Sequence, residues 1–107
     1  MVCRMWKGRT LQADAAAYEN YLRNELFPRL QNEPGKRGYR GSDILRKERG
    51  GETEFVTMVW FDSLDSVKGF AGEDYQTPVI SEKARSLLSR RQTWCDHYEL
   101  SGTQRAP

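Results

Sequence analysis

The sequence predicts an α+β domain of the ferredoxin-like kind, in the order strand, helix, strand, strand, helix, strand. Three observations carry that prediction. A Gly50-Gly51 pair separates two long strand-like runs, the signature of a two-residue β-hairpin. A helical stripe of Ala15, Tyr18, Leu22, Leu26 and Leu30 precedes the hairpin, and Ser63 opens a second helical run after it. Alternating runs at both ends of the chain supply the remaining strands. Together they make a split-βαβ pattern with a four-stranded antiparallel sheet, the first and third strands central and the last beside the first.

The elements follow in order. Val2 to Arg9 reads as the first strand, with Val2, Arg4 and Trp6 on one face and Cys3, Met5 and Lys7 on the other. Asp14 is placed to cap the long helix that follows. Pro28 lies inside that helix, where it removes a hydrogen bond, so a kink or break is expected near Glu25–Phe27. Residues 32–41 form a Pro/Gly loop with no strand-to-helix setting, so it is not read as a phosphate loop. The hairpin then pairs Arg49 with Glu52, Leu45 with Val56, Asp43 with Met58 and Gly41 with Trp60. On its other face it pairs Arg46 with Phe55, Ile44 with Thr57 and Ser42 with Val59. Ser63 caps a helix carrying Leu64, Val67, Phe70 and Ala71, which Gly72 ends. Thr77-Pro78 or Ser81 opens a further helical piece, and Gln92 to Leu100 reads as the last strand.

At 107 residues this is one domain, assigned to residues 1–101, with 102–107 as a loose polar tail. Three Trp, five Tyr and four Phe compensate for an apolar content of only 37%. The net charge of +2 comes from mixed acids and bases with no concentrated basic face, which argues against nucleic-acid binding. Residues 1–9 contain no apolar signal-peptide core, and no stretch approaches the ~20 apolar residues of a membrane span. The reading is a cytoplasmic protein without a membrane partner. Cys3 and Cys95 form no CxxC pair and His97 is the only histidine, so no metal is expected. The two cysteines sit on strands expected to be neighbours and are read as buried thiols.

One strand asks for more than this chain can give. Phe55, Val59 and Phe61 point one way, while Val56, Met58 and Trp60 point the other. A strand apolar on both faces is covered on both. Two helices cover one face of a four-stranded sheet, and a second copy is the simplest cover for the other. The expected partner is therefore the same chain, with Val56, Met58 and Trp60 at the dimer interface.

The run Val59-Trp60-Phe61-Asp62-Ser63-Leu64-Asp65-Ser66-Val67-Lys68-Gly69-Phe70-Ala71-Gly72-Glu73-Asp74-Tyr75, the closing His97-Tyr98-Glu99-Leu100 and the loop Pro34-Gly35…Gly38-Tyr39-Arg40-Gly41 together resemble the antibiotic biosynthesis monooxygenase family. That resemblance implies a dimeric α+β barrel, in which two sheets pack together, with a ligand cleft between each sheet and its own helices. It places Phe55, Val59 and Phe61 toward the cleft. The family includes cofactor-independent oxygenases and heme-degrading enzymes. The heme-degrading branch has an Asn on the first strand, a Trp just before the second helix and a His after it. Here the first strand has Arg4, Met5 and Trp6, Phe61 stands two residues before Ser63, and no His lies between Gly72 and Ser89. Heme degradation is disfavoured, and no cofactor is expected.

Several residues are candidates for function. His97 is the candidate catalytic base, because its ordinary pKa lies near neutrality; the alternative is a structural histidine holding the last strand. Arg4 shares a face with Val2 and Trp6 on a central strand, and a buried arginine requires an anionic partner: Glu99, Asp96 or a ligand oxyanion. Trp6 can stack on a planar substrate or simply fill the core. Phe61 marks the cleft and Tyr75 its mouth. Two functions remain open at this point. One is a cofactor-independent monooxygenase acting on a planar aromatic or polyketide-like molecule, with a dry cavity, an orienting Arg4 and His97 as base. The other is a non-catalytic dimeric binding or stress-associated protein that uses the same cleft for a small hydrophobic ligand.

Overall fold

In the computed structural model, which describes residues 1–32 and 38–107, the strands are β1 (Val2–Leu11), β2 (Tyr39–Arg49), β3 (Glu52–Phe61), β4 (Leu88–Arg91) and β5 (Asp96–Glu99). They form one antiparallel sheet in the order β2-β3-β1-β4, with β5 also paired to β1. The helices are α1 (Ala15–Tyr21), α2 (Phe27–Asn32), α3 (Leu64–Ala71) and α4 (Glu82–Leu87). This is the expected ferredoxin-like α+β class, with β1 and β3 central. Residues 33–37 of the predicted loop lie outside the described residues.

The hairpin has the predicted register at every position, from Arg49 opposite Glu52 to Gly41 opposite Trp60. Gly50 and Gly51 adopt φ of +52° and +88°, the left-handed pair that a two-residue turn joining twisted strands requires. Ser63 caps α3 by accepting from the Ser66 amide at 3.2 Å. Of the two proposed starts for the next helix, Ser81 is the cap: its Oγ accepts from the Ala84 amide at 3.1 Å.

Three local expectations need correction. Asp14 precedes α1 without a side-chain cap bond, because a 3₁₀ turn over Gln12–Asp14 already feeds the chain into the helix. Pro28 does not break the long helix, and the irregularity expected near Glu25–Phe27 takes another form. A π-helical stretch, Leu22–Leu26, joins α1 to α2, and the Phe27 amide donates to the Leu22 carbonyl. The wider turn absorbs the proline's missing donor. The fourth strand position is also divided, so the sheet has five strands and not four. Gln92 ends β4: its amide donates to the Lys7 carbonyl at 3.0 Å, and its side-chain Oε1 accepts from the Lys7 amide at 3.0 Å. A side chain thus takes the place of the backbone acceptor, and the chain bends away until β5 rejoins β1.

The helices cover one face of the sheet. Phe55, Thr57, Val59 and Phe61 are buried there, beneath Tyr18, Tyr21 and Leu22 at one end and Leu30 and Val67 at the other. On the opposite face Met5, Val56, Met58 and Trp60 are half-buried, and Leu45 and Tyr98 are exposed. Burial therefore alternates residue by residue along β3. Residues 101–107 are exposed and carry no regular structure. Among the described residues no helix is long and apolar enough to cross a membrane.

Candidate functional site

A cavity of about 80 Å³ lies between the sheet and its helices. Its floor is Arg4 and Trp6 of β1 with Thr57 and Val59 of β3. Tyr18, Tyr21 and Leu22 roof it, and Pro78–Ile80 with Cys95 close one side. Its lining is mainly apolar with a few polar groups, as ligand sites usually are. The volume is below the ~300–1,000 Å³ of drug-sized pockets, so the space suits a small molecule.

Trp6 is fixed by two neighbours. Its Nε1–H donates to the Gln92 carbonyl at 3.0 Å. A Cβ at Gly8 would stand 2.9 Å from the indole ring and from Leu88 Cδ2, so the absence of a side chain at Gly8 is what lets the ring settle there.

Arg4 is the unusual group. It is only 5% exposed, and among the described residues no carboxylate lies within ion-pair distance of it. Asp96 and Glu99, the acids considered from sequence, do not pair with it. Its Nη1 donates to the Tyr75 carbonyl and meets His97 Nε2 at 3.1 Å, and its Nη2 donates to the Thr77 carbonyl at 3.2 Å. The Cys95 amide donates to the intervening Gln76 carbonyl at 2.7 Å. Three successive carbonyls, of residues 75, 76 and 77, are thus held by Arg4 of β1 and by Cys95, the residue before β5. Carbonyl dipoles and a neutral imidazole solvate the guanidinium without neutralising it. Burial pulls the Arg4 pKa down, yet arginine stays protonated in proteins. A net positive charge therefore faces an apolar cavity.

His97 stands directly opposite Arg4 across the β1–β5 ladder. It does not line the cavity; it backs Arg4 and packs edge-on against Tyr75, with ring centroids 5.1 Å apart. Burial first, then the Arg4 charge, lowers its pKa, with Asp96 opposing. At neutral pH it is therefore the uncharged acceptor that the Arg4 contact needs. Phe61 is fully buried outside the cavity, stacked on Phe70 with Tyr39 at its edge. It shares the helix-facing side as expected but lies too far along β3 to reach the space. Tyr75 contributes its carbonyl to Arg4, and its ring stays outside. Val56, Met58 and Trp60 lie on the other side of the sheet; Trp60 Nε1–H donates to Asp43 at 3.1 Å.

Among the cavity residues not picked out as site residues from sequence, Thr57, Tyr18 and Cys95 carry polar or ionisable groups. Thr57 is 6% exposed, and its hydroxyl has no hydrogen-bond partner. It stands near the Tyr18 hydroxyl without completing a bond of good geometry. The available signal was a lone polar residue on the otherwise apolar Phe55–Val59–Phe61 side. Tyr18, whose pKa burial raises, belongs to a helical stripe that looks like ordinary core. Cys95 lines the cavity beside Arg4, while Cys3 lies on the other side of β1; both are free, and burial pushes both thiols up. Among the described residues no three His, Cys, Asp or Glu side chains gather as a metal site.

Comparison with solved structures places this geometry in a known architecture. A crystal structure of a Bacillus cereus protein provisionally assigned as an antibiotic biosynthesis monooxygenase superposes with a TM-score of 0.65, over 98% of this chain and 97% of that one. The two chains share one fold. Their sequences are 14% identical, so the likeness concerns architecture and not the chemistry of the site. No family model matches the sequence, and no curated protein matches it.

Proposed function

We propose that this chain is a homodimeric protein of the antibiotic biosynthesis monooxygenase type, whose cavity binds a planar aromatic or polyketide-like small molecule as its oxyanion. One observation carries the reading: the buried Arg4 charge at the cavity wall, with no carboxylate among the described residues to neutralise it. A phenolate or enolate oxygen in the cavity completes the ion pair that burial demands. The half-exposed Met5, Val56, Met58 and Trp60 support a second copy covering the outer face of the sheet.

The reaction that suits such a site is cofactor-independent oxygenation. Among the described residues the cavity wall carries no carboxylate or imidazole, so the substrate enters already ionised and Arg4 stabilises the anion. The anion transfers one electron to dioxygen, the radical pair recombines as a carbon-bound peroxide anion, and a solvent proton, equivalent to the one lost on ionisation, makes it the hydroperoxide. Loss of water then leaves a carbonyl. A methylene and one dioxygen become a carbonyl and one water; the carbon loses four electrons and dioxygen gains them. His97 orients Arg4 in this scheme and does not touch the substrate.

Oxygen uptake with anthrone-like and quinol substrates tests the reading, comparing wild type with Arg4→Met. Uptake with wild type, lost in the variant, is expected. Binding of these molecules without uptake would favour a non-catalytic binding protein, a reading supported by the lack of a base on the cavity wall. Neither binding nor uptake would overturn the proposal.

A further inference from the structure

The cavity is smaller than the ligand proposed for it, and one of its walls is lightly fastened. We infer that residues 73–80 form a strap that opens to admit the aromatic ligand, with Arg4 as the latch that holds it closed. This rests on the reading of the cavity as an aromatic-binding site.

The volumes set the problem. The closed space is about 80 Å³, whereas a cavity of about 150 Å³ is what holds a single benzene ring. A ring bearing an oxygen therefore enters only if a wall moves. The floor cannot move cheaply, because β1 and β3 are paired without interruption from Val2–Phe61 to Leu11–Glu52. The roof residues Tyr18, Tyr21 and Leu22 are buried in the main helical core. The remaining wall, Pro78–Ile80, belongs to the segment between α3 and α4, which contains neither helix nor strand.

That segment is fixed at its ends and lightly held between them. Gly72, at φ +87°, ends α3. Ser81 caps α4 and donates to the Tyr21 hydroxyl at 2.8 Å. Among the described residues, the hydrogen bonds that tie 73–80 to the rest of the protein are the two from Arg4 to the Tyr75 and Thr77 carbonyls and the one from the Cys95 amide to the Gln76 carbonyl. Tyr75 adds ring contacts with His97 and Lys68, while Val79 is 60% exposed. Segments with few buried contacts are the ones that open locally while the core stays folded. On the far side of the strap lies an open groove lined by Tyr75, Gln76, Asp96 and His97, and Cys95 borders both this groove and the cavity. Swinging the strap outward joins the two spaces and gives the ligand its entrance.

The two thiols report the motion. Cys95 on the cavity wall and Cys3 on the other side of β1 are both free and buried. Opening of the strap exposes Cys95 alone, whereas opening of the sheet exposes both. The probe is dithiobis(nitrobenzoate), whose rings are too large for the closed cavity, with peptide mass mapping to separate the two sites. Wild type should be labelled at Cys95 faster than at Cys3. Arg4→Met should raise the Cys95 rate relative to Cys3 by at least about tenfold, the value of one hydrogen bond to a charged group. Chemistry alone gives the opposite sign: loss of the neighbouring cation raises the Cys95 pKa and removes the attraction for an anionic reagent. A variant that merely folds poorly accelerates both thiols alike and leaves the ratio unchanged. Labelling of Cys95 no faster than Cys3 in wild type, or an unchanged ratio in Arg4→Met, would overturn the strap. The oxyanion reading fails on a different measurement, the ionisation of a bound phenol.

Discussion

Gly8→Ala is a single-methyl change whose cost can be worked from the cavity wall outward. The new Cβ would sit 2.9 Å from two indole carbons of Trp6 and from Leu88 Cδ2. Carbon atoms pack best at about 3.5–4.0 Å, so the ring must retreat by roughly 0.6–1 Å. The retreat strains the 3.0 Å bond from Trp6 Nε1 to the Gln92 carbonyl, at the point where β4 ends. Overpacking of this kind costs about 1–3 kcal/mol, and loss of the bond about 1 kcal/mol more. Alanine recovers about 0.4–1 kcal/mol by restricting the unfolded chain. The net destabilisation is about 1–3 kcal/mol, readable by urea unfolding followed by tryptophan fluorescence. Leu88→Ala in the same background frees one of the two obstructing groups, so the double variant should be more stable than the sum of the two single changes predicts. A Gly8→Ala protein as stable as wild type, with unchanged fluorescence, would refute the account of how Trp6 is seated.

Two further outcomes are expected. Trp60→Asp places a charge on the outer face of the sheet and should weaken self-association at least tenfold in sedimentation experiments; a wild type that sediments as a monomer at high micromolar concentration would refute the dimer. His97 has its pKa lowered from the ordinary 6.5 by burial and by Arg4, so the stability from keeping it neutral is present above pH 6.5 and lost as pH falls through the depressed value. Besides Arg4, Asp96 and the Tyr75 ring face it, and the lowered carboxylates Glu19, Glu48, Glu52 and Asp62 titrate in a separate window below the usual acid range. Urea midpoints at pH 7.5 and 5.5 should therefore differ more in wild type than in His97→Asn; equal differences would deny His97 the role.

The parts of the fold legible in the sequence are those that local chemistry decides. Gly50-Gly51 dictates the turn, and the turn dictates every pair of the hairpin. Ser63 and Ser81 are caps wherever their helices pack. The divided fourth strand was not legible, because the Gln92 side chain mimics a backbone acceptor only after Lys7 has been brought beside it. The π-helical relief of Pro28 likewise depends on the helix being held at both ends by packing. In the site, alternation correctly put Arg4 and Trp6 on one face and Phe61 on one side with Phe55 and Val59, and the resemblance turned that side toward the helices. Alternation does not say how far along a strand the cavity lies, so Phe61 was read as cleft-facing while Thr57, four residues earlier on the same side, was passed over. His97 was singled out for its chemistry, but its partner followed only from the β1–β5 register.

The central claim is that a buried, acid-free Arg4 holds an oxyanion inside the cavity. It can be measured as the ionisation of 4-nitrophenol, followed by its visible phenolate band at a pH below its own midpoint. An opposite charge this close lowers an acid's pKa by about 1–3 units. Adding wild-type protein should therefore generate the phenolate band in proportion to binding, and Arg4→Met should not. A band that does not grow with wild type, or that grows equally with Arg4→Met, would contradict the account.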